Sequence, residues 1–179
     1  MGEDHPMTLK TMNGIGLSHR LKFEYQEAIE CYKDVFEINR RVRGESDPST
    51  IESMQGLSEA FMSMGLHEES MEWSLRALES ARTVFGDAHP ATRDALDAIY
   101  RSFQSRFEFR TALPYLAELI FLSRRDLGAD HIMTRSFVLR SRRVIPMIEA
   151  LHAGSPDDGY DELASRYRDL IDPRTGFED

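Results

Sequence analysis

Gly44-Glu45-Ser46-Asp47-Pro48-Ser49-Thr50 decides the fold, because the chain writes versions of this stretch four times. The related runs are Gly2-Glu3-Asp4-His5-Pro6, Gly86-Asp87-Ala88-His89-Pro90 and Gly128-Ala129-Asp130-His131-Ile132. Their glycines stand at 2, 44, 86 and 128, a step of 42 with no insertion or deletion. Threonine keeps the same step at Thr8, Thr50, Thr92 and Thr134. A fixed period of this length marks an array of stacked supersecondary units. Glycine ends a helix cheaply, because it tolerates the left-handed conformation at the cap. Asp or His followed by Pro starts the next helix, where the missing proline N–H costs nothing.

Outward from these marks, each unit breaks again near its middle. The breaks are Lys22-Phe23-Glu24-Tyr25, Met64-Gly65-Leu66-His67 and Arg106-Phe107-Glu108-Phe109. Between breaks, apolar residues recur on one helical face. Met12, Ile15, Gly16 and His19 form one stripe; Met54, Leu57, Ser58 and Phe61 a second; Leu96, Ile99, Tyr100 and Phe103 a third. Ala28, Tyr32 and Val35, and then Ala112, Leu116 and Leu119, stripe the second helices. No sustained period-two segment suggests a strand. The spacing predicts an all-α chain with first helices near 6–22, 48–64, 90–106 and 132–152. Second helices are expected near 25–42, 67–84 and 109–127. Pro114 falls in about the first turn of its helix, whereas Pro146 should kink or end the fourth first helix.

A single domain over 1–171 follows, with repeats 2–43, 44–85 and 86–127 and a degenerate repeat or cap over 128–171. Arg140, Arg142 and Arg143 crowd the stripe of that last unit, and Gly154-Ser155-Pro156 breaks it. A short capping helix near 158–171 would cover the final apolar face, and 172–179 reads as a tail.

The repeated pattern, with its Gly-x-x-His-Pro linker, resembles tetratricopeptide repeats. The 42-residue period and Thr11-Met12-Asn13-Gly14-Ile15-Gly16 resemble the kinesin light chain subtype. The Gly-x-x-His-Pro-x-Thr run also resembles repeats at the C-termini of large signalling NTPases of fungi and bacteria. The resemblance implies an α-α superhelix whose concave groove, lined by first helices, binds a peptide or protein. There are departures. His19 stands at the family's aromatic position, Phe23 and Phe107 replace the turn glycine that survives as Gly65, and Ser70 replaces the second-helix alanine. The lysine and asparagine set that clamps C-terminal carboxylates in some chaperone-binding members has no match.

By this resemblance, groove positions fall on Lys10, Asn13, Leu17 and Arg20, then Glu52, Gln55, Glu59 and Met62, then Asp94, Asp97, Arg101 and Gln104. The fourth helix adds Leu139 and Arg143. Carboxylates Glu52, Glu59, Asp94 and Asp97 occupy the middle, so the expected ligand is an extended or helical peptide with a basic centre. Asn13 and Gln55 are the expected donors and acceptors for its backbone. The competing reading is a solvated helix surface.

Charge and chemistry narrow the partner class. With 22 basic and 31 acidic residues, the net charge of -9 argues against nucleic acid and anionic membranes. No apolar run is long enough to span a bilayer. The start lacks a secretory signal, and lone Cys31 favours a reducing compartment, so a cytoplasmic location is expected. His5, His89 and His131 sit in linkers that stacking holds apart, which reads as capping rather than metal binding. Cys31 lacks an oriented base, and no catalytic or phosphate-loop spacing occurs. Gly14 and Gly16 read as room for close helix packing. The aromatics Phe36, Phe61, Trp73, Phe85, Phe103 and Phe121 read as core or inter-repeat contacts. The arginines at 124–125 and 140–143 offer contacts to an acidic partner or a phosphate. The expectation is a protein-binding module without cofactor, metal or catalysis. The alternatives are a structural or self-associating element, through an uncovered first-repeat face, and a sensor segment of a larger signalling protein.

Overall fold

A computed structural model describes residues 4–152, and side chains for 4–146. Among the described residues there are seven helices and no strand. They are α1 (Pro6–Leu21), α2 (Tyr25–Arg43), α3 (Pro48–Met64), α4 (His67–Phe85), α5 (Pro90–Ser105), α6 (Phe109–Leu127) and α7 (Ile132–His152). The expected helix near 158–171, the tail and the rest of the cap lie outside the described residues.

The repeated linker works as a two-sided clip. On one side, His5, Asp47 and His89 accept hydrogen bonds from the backbone N–H of Met7, Ser49 and Ala91 at 3.2, 2.9 and 3.1 Å. His131 does the same for Met133 at 3.3 Å, without a proline beside it. Such caps satisfy N–H groups that the first helical turn leaves free, and each stabilises by about 1 kcal/mol. On the other side, the Thr50 and Thr92 hydroxyls donate to the carbonyls of Gly44 and Gly86, both at 2.8 Å. This explains the threonine period: the hydroxyl ties the new helix to the residue that ended the old one. Gly44, Gly86 and Gly128 hold φ of 90°, 77° and 89°, a backbone almost confined to glycine.

The helices group into two compact units divided between Arg106 and Phe107. In the first, α1 to α5 pack each on the next, and the first helices α1, α3 and α5 also touch in succession. Leu9, Ile29, Val35, Met54, Leu57, Leu96 and Ile99 fill its core. Burying a side chain of this size contributes about 1.5–3 kcal/mol against the entropy of ordering the chain. A hydroxyl cluster crosses this core: Ser58 lies between Ser70 and Ser74, and Ser102 donates to Ser70 at 3.4 Å. In the second unit α6 packs on α7, around Leu113, Leu116, Ile120, Phe137 and Val144.

Four expectations need correction. Pro146 does not end α7, which continues to His152. Pro114 lies past the first turn of α6. Ile15 is exposed whereas its neighbour Gly16 is buried, so α1 is rotated from the expected phase. Phe121 is exposed, with Arg125 over its ring, rather than packed in the core.

Candidate functional site

Eleven of the twelve predicted groove positions are exposed or half-buried on α1, α3 and α5. The exception is Asn13, 7% exposed. The face centres on a cavity of about 350 Å³ between α1 and α3. Lys10, Asn13, Leu17, Glu52, Gln55 and Glu59 line it, so six predicted residues meet there. Gln55 and Glu59 also border a smaller cavity that reaches Asp94 on α5. Met62, Asp97, Arg101, Arg20 and Gln104 line neither of these cavities, although Arg20 pairs with Glu59, which borders both.

Tyr32, Gly14 and Gly56 line the cavity although none was among the predicted groove positions. Tyr32 comes from α2 and is a core residue as expected, and its ring passes inward between α1 and α3 to form part of the cavity wall. Two glycines admit it. A Cβ on Gly16 would sit 3.0 Å from the ring, and one on Gly56 would overlap it. The packing role read into Gly16 is therefore real, and its cause is an aromatic ring rather than another helix backbone. Gly14 meets no close neighbour and lies open on the cavity wall. Burial pushes the Tyr32 phenol up, by more than the nearby Arg20 charge lowers it. The ring is a neutral hydrogen-bonding group at physiological pH.

The electrostatics are sparser than four free carboxylates. Arg20 on α1 pairs with Glu59 on α3 at 2.8 Å, and Arg101 pairs with Asp97 at 3.1 Å. Glu52 and Asp94 make no ion pair among the described residues. Asp94 keeps an edge in solvent, yet its carboxyl is raised above the usual carboxylate range. Lost hydration is the first cause, and the nearby charges of Glu59 and Asp97 come next. Arg93 and Arg101 offset part of that rise. Gln55 Nε2 donates to the Ala91 carbonyl at 2.9 Å, tying α3 to α5. Asn13 Oδ1 has no hydrogen-bond partner among the described residues.

The tempting chemistry resolves into structure. The linker histidines cap helices, and His89 also stacks on Phe85 with centroids 4.1 Å apart. Cys31 donates to the Met12 carbonyl at 3.3 Å, and burial followed by Asp34 raises its thiol, which suits packing and not nucleophilic attack. Among the described residues, no cluster of three metal-ligating side chains occurs, and no helix is long and apolar enough to cross a membrane.

Two tetratricopeptide repeat profiles match the sequence, over residues 7–63 and 50–91. Over residues 7–91 the chain is built of tetratricopeptide repeats. Among solved structures, its fold is similar to the nearly identical TPR-like repeats of kinesin light chain type from Podosopora anserina. That likeness has a TM-score of 0.67 at 15% identity and covers 93% of this chain and 94% of that one. A single-substitution variant of those repeats matches with a TM-score of 0.67 at 14% identity, over 96% and 87% of the two chains. BtubC (BKLC) from P. vanneervenii matches with a TM-score of 0.63 at 13% identity, over 96% and 65%. No curated protein matches the sequence. The repeat protein thus has the all-α fold of a helical repeat array, and arrays of this family are generally protein–protein interaction scaffolds without catalysis of their own.

Proposed function

We propose that this repeat protein binds a peptide segment across the α1–α3–α5 face, and that the segment carries a basic side chain at its centre. One observation carries the reading: Asp94 holds a raised carboxyl beside Glu59 and Asp97, with Glu52 also unpaired. A lysine or arginine placed there relieves like-charge repulsion that the free protein bears. Leu17 and the Tyr32 ring supply apolar and aromatic contact, and the Asn13 amide lines the same cavity. Helix packing already orders the surface, so little receptor entropy is lost on binding.

Selection of linear peptides from a random displayed library tests this. Enriched peptides should carry Lys or Arg near the middle. Glu52→Lys with Asp94→Lys should weaken them about tenfold or more, as expected when an attractive pair becomes repulsive. Undiminished binding by the double variant removes the α1–α3–α5 face from consideration.

A second reading is self-association. Met7, Ile15 and Leu21 on α1 are exposed apolar side chains, and a second copy is one way to cover them. A molar mass by light scattering that stays at 20.6 kDa as concentration rises would exclude it.

A further inference from the structure

The second unit holds a cavity of a different character. It lies between the end of α6, the loop after it and one flank of α7, and has a volume of about 460 Å³. Arg124, Arg135 and Arg142 line it, with Ala129, Asp130, Val138 and Leu139 completing the described wall. Its volume is in the range of small-ligand sites, about 300–1,000 Å³.

The three arginines differ from their neighbours. Arg125 grips Asp126 at 2.7 and 3.2 Å, and Arg140 lies over the Phe137 ring at 5.3 Å. Arg124, Arg135 and Arg142 make no ion pair among the described residues. Arg124 Nε is buried and has no hydrogen-bond acceptor among the described residues. An unsatisfied charged donor is costly, and three like charges around one cavity repel. Asp130 supplies the described wall's one carboxylate, so three positive charges and one negative leave a surplus of two. A chain with net charge -9 gathers here the opposite sign.

We propose that this cavity binds a phosphoryl group. A phosphate monoester carries nearly two negative charges and three strong acceptor oxygens, which matches the surplus. Guanidinium forks bind such oxygens in parallel pairs, and three of them converge on this cavity. A carboxylate would neutralise half as much. Val138 and Leu139 give the remainder of the ligand an apolar wall. The phosphoryl group is carried either by a phosphorylated residue of a partner or by a free phosphate compound.

Calorimetric titration of the full chain decides the matter. The probes are inorganic phosphate, a phosphoserine hexapeptide and its unphosphorylated twin, at matched ionic strength in chloride. Arg135 and Arg142 are exposed, so the Arg135→Gln/Arg142→Gln double variant should keep its helices by circular dichroism. Wild type should bind phosphate saturably, and the double variant about tenfold or more weakly, the effect of losing charge-assisted hydrogen bonds. Tighter binding of the phosphopeptide than of phosphate assigns the group to a partner protein. Equal or weaker binding assigns it to a free phosphate compound. No saturable phosphate binding, or equal affinity in the folded double variant, overturns the proposal.

Discussion

Asp94 concentrates the strain of the first-helix face into one group. Its carboxyl loses hydration among packed helices and faces Glu59 and Asp97, so its pKa is raised above the usual range. A raised acid costs stability while it is ionised in both the folded and unfolded chain, as at neutral pH. The cost fades as pH falls through the raised folded value, and is gone below the usual carboxylate range, where both states hold the proton. Asp94→Asn should therefore raise the melting temperature at neutral pH, with the gain shrinking to nothing in acid. Equal melting of the two chains at neutral pH would contradict the assignment. At this scale the sequence was only partly legible. Lys10, Leu17, Glu52 and Asp94 could be placed outward, because each is one offset along a repeated helix. Asn13 and Ile15 could not be phased: hydrophobicity points Ile15 inward, but the Tyr32 ring needs the space over Gly16. The Arg20–Glu59 pair was equally hidden, since it depends on how α1 and α3 register against each other.

At the scale of elements, the helix limits were legible to within about one residue, because the linker between repeats marks its stop and start chemically. A cap acceptor, a proline and a glycine act within one turn and need no tertiary information. The mid-unit turns are less well made. Gly65 ends α3 at φ 82°, in the left-handed region it tolerates. Phe23 and Phe107 occupy the same place in their units at φ 65° and 61°. Both are about three-quarters exposed, at 77% and 74%, and gain an edge contact with Tyr25 or Phe109. A left-handed residue with a Cβ costs roughly 1–2 kcal/mol, more than one exposed ring pair of about 0.5–1.5 kcal/mol returns. Phe23→Gly should thus leave stability unchanged or raise it by up to about 1 kcal/mol. Gly65→Ala should lower it by about 1 kcal/mol. Denaturant midpoints at constant slope measure both, and a large loss for Phe23→Gly would show that its ring packs more than its exposure indicates.

For the whole molecule, the ruler in the sequence and the unit of packing do not coincide. Glycine marks fall at 44, 86 and 128, but the chain divides between Arg106 and Phe107, midway through the third sequence repeat. The reason lies in what α5 covers. Each second helix has an apolar side that the next first helix closes, as a repeat array requires. Here α5 closes on α4 and α3: Ala95 and Ala98 face Ala77 and Ser74, Ser102 reaches Ser70, and the start of α5 accepts the Gln55 amide. A chain cut at a glycine mark is therefore incomplete, whereas one cut after the following first helix is not. Residues 1–106 should melt cooperatively, and residues 1–85 should melt lower. If α5 contributes even about 1 kcal/mol through its contacts, the midpoints of chains this short should differ by about 4–8 °C. Circular dichroism melts of the two fragments give the answer. A fragment of 1–85 as stable as 1–106 would mean that each 42-residue repeat is self-sufficient, and that the first helix of the next repeat adds surface rather than core.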